Sequence, residues 1–291
     1  MSASAPEELM PSDELSVPVT EGRFREWRVY LSPEAFADPG DGIQAPTSLI
    51  NQKTWMHLMD LPTDVLLQTT DHFGPTFRAT ASLSHMWICA ITPSGNPDLP
   101  LVFDAYLDAY DEFEAAPFVA AHGWYRQATA GLRNALEVMV HAARFAIRGD
   151  RDKYLAWRDG TADPPKFQNS VEIMKDHSST AEVEATLPAG ALFGRNPDGV
   201  IRDLYKELCR FAHGHPGHTN ADIWGSNGPV FVPEAFTQLW RDFRGTFLAC
   251  SILLKLAYPE MGRPDDLPEV ARHAGAPWHG LAASAVTAYF A

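Results

Sequence analysis

The sequence predicts a mainly α-helical fold, arranged as an up-and-down helix bundle. Several long segments repeat apolar residues at intervals of three and four, which is the spacing of one helix face. Clusters of proline and glycine separate these segments, as at residues 92–97 and 259–264. The 45% hydrophobic content includes 8 Trp and 16 Phe, so the chain can bury enough apolar surface to form a packed core.

The two ends of the chain are expected to lie outside the bundle. Residues 1–22 combine acidic residues with prolines, a composition that favours a disordered acidic tail. Residues 23–115 predict an N-terminal helical elaboration with a short strand at 27–31, and residues 261–291 predict a C-terminal extension with a small helix. The helices expected in the N-terminal elaboration cover residues 63–91, with an interruption near Gly74 and Pro75, and residues 101–114.

Residues 116–260 are expected to form the bundle itself, and its strongest helix is predicted at residues 117–147. Pro117 suits the first turn of a helix, and Gly149 lies just beyond the last turn. The apolar stripe of this helix is predicted to consist of Phe118, Ala121, Tyr125, Ala128, Leu132, Ala135, Leu136, Met139 and Ala143.

Two more bundle helices follow a weakly patterned connection at residues 160–196, which holds one expected helix near 171–176. Asp198 is a suitable N-cap for a helix that continues to residue 213, and Pro233 begins a helix that continues to residue 258. A helix buries its apolar face only against another element. We therefore expect both helices to pack with the helix at 117–148 as a central bundle.

The charge and the cysteines limit the classes of partner and the compartment. A net charge of −14 argues against a broad surface for nucleic acid or anionic membrane, so no DNA partner is predicted, although a local basic site is compatible with it. The chain starts without a basic leader and has no run of about 18 apolar residues, so export and membrane spanning are not expected. Cys89, Cys209 and Cys250 lie in apolar patterns without CxxC spacing, which predicts buried thiols and a cytoplasmic location.

The polar residues between 210 and 227 form the most concentrated chemical feature. Arg210 is followed by His213 and His215 where a predicted helix ends, and this pattern suits phosphate binding by the guanidinium with proton transfer by an imidazole. The loop that follows is longer than a bundle connection requires, which favours a function. Its candidate binding residues, which also suit turns, are His218, Asn220, Trp224 and Asn227.

Four short segments carry a resemblance to a known superfamily: GWYRQA at 123–128, LRNALE at 132–137, LYKELCRFAH at 204–213 and WGSNGP at 224–229. Over roughly residues 118–260 the chain resembles the HEPN-like helix-bundle superfamily. The resemblance implies an endoribonuclease of toxin or defence type that needs no metal or other cofactor. It also implies an RNA substrate and a homodimer that brings two motifs together.

By this resemblance Arg210 contacts phosphate, and His215 or His213 acts in cleavage through the 2′-hydroxyl. Family motifs often place Asn, His or Asp directly after the arginine, whereas this chain has Phe211. That departure concerns the activity more than the fold.

Two other functions are compatible with the same residues. A metal site could use His213, His215, His218 and Asp222 as ligands, although the glycines and proline between them leave its geometry open. A non-catalytic interaction bundle is the other alternative. No phosphate-binding glycine loop, serine elbow or dinucleotide fingerprint occurs in the chain.

The long helix adds a polar series that includes Arg126, Arg133, Glu137 and His141. Glu137 lies four residues from both Arg133 and His141, so these side chains share one surface of the helix. The series suits a solvated face or the lining of a pocket. We expect Arg133 and Glu137, which flank the apolar stripe, to face the histidine-rich loop.

Overall fold

The computed structural model describes residues 52–89, 101–185, 191–194, 199–212 and 229–259. This part of the chain is helical and contains no strand, which confirms the predicted all-α helix bundle. The predicted terminal tail, the strand at 27–31 and the extension after residue 260 lie outside the described residues. The helices are α1 (Gln52–Ile88), α2 (Phe103–Ala121), α3 (Tyr125–Arg148), α4 (Arg151–Arg158), α5 (Phe167–Lys175), α6 (Ser178–Glu184), α7 (Val200–Ala212) and α8 (Pro233–Ala257).

Helix α3 is the centre of the bundle and contacts α2, α4, α5, α7 and α8. Its predicted stripe is buried from Tyr125 to Ala143, and Leu132 and Met139 are inaccessible to solvent. The helix ends where predicted, because Gly149 takes a left-handed conformation with φ of 65° and donates its backbone N–H to the last turn. The expected packing of α3, α7 and α8 is confirmed, since Leu132, Leu208 and Phe243 are fully buried.

The predicted start of this helix at Pro117 is wrong. Pro117 lies inside α2, which continues to Ala121, and α3 begins only at Tyr125. Phe118 and Ala121 therefore belong to a different helix from the rest of the stripe, and 65% of Phe118 is exposed. The chain turns at Gly123, whose φ is 82° and whose missing Cβ makes room for the backbone of Val230.

Helices α1 and α2 belong to the same hydrophobic core as α3. Helix α1 is kinked at Phe73, directly before the interruption that was predicted at Gly74 and Pro75. Trp87 of α1 donates its indole N–H to the carbonyl of Tyr106 over 3.1 Å, and the Tyr106 hydroxyl donates to the carbonyl of Trp87 over 2.5 Å. The boundary expected between residues 115 and 116 falls within α2, which packs along α3.

The weakly patterned connection contains more helix than expected. The predicted helix near 171–176 is α5, and α6 is a second helix in this connection. Helix α4, which precedes the connection, was not predicted either. Helices of seven or eight residues depend on packing more than on propensity, and α4 buries Tyr154 in the core. An ion pair between Arg202 of α7 and Glu172 joins α7 to α5.

Helix α8 begins at Pro233, as predicted, and is buried along most of its length. The Tyr125 hydroxyl accepts the backbone N–H of Val232 over 3.0 Å and so fixes the entry to α8 against α3. No described helix is long and apolar enough to cross a membrane.

The expectation of buried thiols holds for Cys250, whereas Cys209 is partly buried. Cys89 is exposed, so the expectation is wrong there. Its position explains the exposure, because Cys89 follows the last turn of α1 rather than lying on the buried face of that helix.

Candidate functional site

Arg210 lies in the last turn of α7 with 59% of its side chain exposed. Its Nη1 atom is 2.9 Å from Oε2 of Glu207, one turn earlier on the same helix. An exposed ion pair of this kind contributes little to stability and is screened by salt. The negative end of the helix dipole also favours a cation at this position. The guanidinium is therefore open to an anionic ligand that can replace the carboxylate.

A second arginine is held between α3 and α7. The Nη2 atom of Arg133 donates to the hydroxyl of Tyr205 over 3.0 Å and lies 3.0 Å from Oε2 of Glu137. The Arg133 guanidinium also lies over the Tyr205 ring, 5.3 Å from its centroid, and that ring stacks on Phe167 of α5. Arg133 and Glu137 thus form an ion pair at the four-residue spacing that the sequence indicated. Arg133 also contacts α7 through Tyr205.

The neighbours of Arg133 raise its pKa and so favour the protonated guanidinium. Partial burial lowers the pKa of Arg133, but the Tyr205 hydrogen bond and the charge of Glu137 outweigh it, so the pKa is raised above its usual value. Burial raises the pKa of the Tyr205 hydroxyl, and the hydrogen bond from Arg133 opposes that effect. Arg133 is therefore a fixed cation, and Tyr205 is a neutral hydrogen-bonding partner.

The polar series continues from Glu137 to His141, which is buried with 2% of its side chain exposed. Nε2 of His141 is 3.9 Å from Oε1 of Glu137, and Nδ1 is 3.0 Å from Oγ of Ser170 on α5. Arg126 lies in the first turn of α3 and is partly buried. Of this series, only His141 is buried, and the other three residues are partly exposed. The series is therefore not a fully solvated face.

The other candidate residues lie outside the described residues. They are His213, His215, His218, Asn220, Asp222, Trp224 and Asn227. The expected approach of Arg133 and Glu137 to the histidine-rich loop stays a prediction for the same reason. Within the described ranges, no group of three or more His, Cys, Asp or Glu side chains is arranged to hold a metal ion.

Sequence reasoning missed Asp242, a carboxyl on the buried face of α8. Only 6% of the residue is exposed, and Gln238 donates to its Oδ1 atom over 3.0 Å. Burial, followed by the charge of Glu207 on α7, raises the pKa of Asp242 to about 8. The carboxyl is therefore mainly protonated at neutral pH, so it adds little negative charge near α7. An acidic residue beside Leu239 and Phe243 in an apolar stripe was the available signal.

Comparison of the chain with protein-family models, curated proteins and solved structures finds no match. The interpretation of function therefore depends on the residues and on their arrangement.

Proposed function

We propose that this chain is a HEPN-like protein that cleaves single-stranded RNA without a metal ion. Arg210 binds the scissile phosphate, and His215 or His213 transfers the proton. The observation that carries the proposal is the exposure of Arg210 at the end of α7, where Glu207 of the same helix is its ion-pair partner. Phosphate oxygens offer a guanidinium two parallel hydrogen bonds, so they can replace this weak partner.

The packing of α3 against α7 supports the same proposal. The sequence segments that carry the HEPN resemblance on these helices lie against each other, joined by the contact between Arg133 and Tyr205. The face of α7 that is buried in the core carries Leu204 and Leu208. Arg210 lies in the last turn of α7, and His213 and His215 come next in the sequence after the helix ends.

The proposed reaction is an internal transfer at phosphorus. The 2′-oxygen of the ribose attacks the adjacent phosphate, the bond to the 5′-oxygen breaks, and the products are a 2′,3′-cyclic phosphate and a 5′-hydroxyl. The attacking 2′-hydroxyl loses a proton and the leaving 5′-oxygen gains one, and a histidine carries out one of these transfers while water carries out the other. Arg210 stabilises the negative charge that develops on the phosphate. The reaction consumes no cofactor.

The proposed partners are RNA and a second copy of the chain in the cytoplasm. In the homodimer two Arg210 motifs share one cleft, so a small basic site forms on a protein whose net charge is −14. Two copies of Arg210 can neutralise more of the RNA charge than one copy. Mass measurement in solution tests this dimer directly.

Replacement of Arg210 by alanine tests the role of the exposed guanidinium. Arg210→Ala should lower the rate of RNA cleavage by about 100-fold or more, since a charge-stabilising group is lost. The helical circular dichroism signal should stay unchanged, because the side chain lies largely in solvent. His215→Ala and His213→Ala, tested separately, should identify the histidine that transfers the proton.

Lys206→Ala is the matched control, since it removes one exposed positive charge from the same helix. This control should keep most of the activity. Equal losses in both variants would show that only overall charge matters and would contradict the assigned role of Arg210. Unfolding of the Arg210→Ala protein would favour the non-catalytic bundle.

A further inference from the structure

A cavity of about 410 Å³ lies between α2, α3, α4 and the segment that follows α4. This volume is within the range of small-molecule sites. Among the residues that the structure describes, neither Lys nor Arg lines the cavity. Its chemistry comes from Asp108, Asp111, Glu112, Glu137, His141 and Trp157.

Four carboxylates surround this acidic cavity, and arginines outside it pair with two of them. Arg158 lies 2.6 Å from Asp108, and Arg133 lies 3.0 Å from Glu137. Within the described part of the chain, Glu112 has a hydrogen bond from Asn134 over 3.1 Å but no cationic partner. Burial, Asp111 and Asp108 raise the pKa of Glu112 against the effect of that hydrogen bond. The cavity is therefore deficient in positive charge.

His141 provides a second, independent sign of a ligand. The side chain is 98% buried, and its Nε2 atom has no hydrogen-bond partner in the described structure. Nδ1 is turned to Ser170, outside the cavity lining, so the Nε2 edge is the one turned toward Glu137 and the cavity. When Nδ1–H donates to Ser170, Nε2 is the acceptor of the ring and can receive an N–H hydrogen bond.

Trp157 forms an aromatic wall that already accommodates a cation nearby. The guanidinium of Arg158 lies 5.4 Å from the Trp157 centroid while it pairs with Asp108. An aromatic face beside a carboxylate is a favourable surface for an organic ammonium group and its methylene chain.

The distribution of the carboxylates favours an elongated cation over a single ion. Asp108 and Glu112 are one helical turn apart on α2, about 6 Å along the axis, and Glu137 faces them from α3. The described acidic residues do not converge as a metal site. Ammonium groups separated by a few methylenes match this spacing better than one metal ion does.

We propose that the acidic cavity binds an aliphatic di- or polyamine, with its ammonium groups between the carboxylates of α2 and Glu137 and its methylenes against Trp157. The proposal is independent of RNA cleavage. The Arg210→Ala protein should bind the amine as tightly as the wild type, since Arg210 does not line the cavity.

Titration calorimetry of the full chain with spermidine and putrescine tests the site. We expect one site per chain and an affinity at least about tenfold weaker in Glu112→Gln, which removes a charge but keeps the shape of the side chain. Asp111→Asn, at an exposed position, should weaken binding as well and provides a second variant if Glu112→Gln folds poorly. Glu114→Gln, on the exposed side of α2, is the matched control and should leave binding unchanged.

Three results would overturn the proposal. The first is no binding at millimolar amine, and the second is an equal loss of affinity in Glu114→Gln, which would show non-specific attraction to an acidic protein. The third is tighter binding of Mg²⁺ that excludes spermidine and that is lost in Glu112→Gln. This result would assign the cavity to a metal ion instead.

Discussion

Replacement of Asp242 by asparagine is expected to remove a pH dependence from the stability of the bundle. In the folded protein the pKa of this buried carboxyl is raised to about 8 from an ordinary value of 3.8. Between these two values the folded chain keeps a proton that the unfolded chain releases. The contribution of Asp242 to the free energy of unfolding is therefore fully present below the pKa of this carboxyl in the unfolded chain. It is lost as the pH rises toward the pKa in the folded protein.

The size of the effect follows from the displaced pKa. Each pH unit inside this window lowers the free energy of unfolding by about 1.4 kcal/mol. From about pH 5 to about pH 7 the loss is roughly 2.7 kcal/mol, a large fraction of the stability of a typical domain. Asparagine does not titrate and keeps an oxygen that can accept the Gln238 hydrogen bond. Asp242→Asn should therefore become more stable relative to the wild type as the pH rises.

Urea unfolding of both proteins at several pH values between about 5 and 7 measures this difference, because contributions that do not depend on Asp242 cancel. Asp152→Asn, at an exposed position on α4, is the control and should give a curve parallel to the wild type. Parallel curves for Asp242→Asn and the wild type would refute the reasoning, since they would mean that Asp242 is ionised in the folded protein.

Three further substitutions test the packing by urea unfolding. Leu132→Ala should lower the free energy of unfolding by about 2–5 kcal/mol because it opens a cavity at the bundle centre, while half-exposed Leu107→Ala should change it far less. Gly123→Ala should cost more than Gly149→Ala: both have positive φ, but only the first places a Cβ against backbone. Tyr125→Phe should cost about 1–3 kcal/mol, because a buried backbone N–H loses its acceptor. Equal effects within either pair, or no effect of Tyr125→Phe, would contradict the contacts.

The fold could be predicted where a local pattern and a boundary residue agree. Helix α8 has both an apolar stripe and Pro233 at its start, and α3 has Gly149 at its end. The break between α2 and α3 was missed because it depends on a tertiary contact, the approach of Val230 to Gly123. Pro117 was misleading because a proline is accommodated inside α2 rather than starting a helix.

The candidate site could be predicted only within single helices. The four-residue spacing indicated the pairing of Arg133 with Glu137. It gave no sign of Tyr205, the partner from α7, which lies 72 positions away in sequence. The acidic cavity was missed for the same reason, since its carboxylates belong to two helices whose facing sides are fixed by packing.

The most direct test of the proposed function is to incubate the purified chain with single-stranded RNA in EDTA and to analyse the new ends. We predict cleavage that leaves 2′,3′-cyclic phosphate and 5′-hydroxyl ends, because a histidine and Arg210 need no metal ion. Activity that EDTA abolishes and added metal restores would instead favour the site of His213, His215, His218 and Asp222. Absence of cleavage both with and without added metal would contradict the proposed activity and leave a non-catalytic interaction bundle.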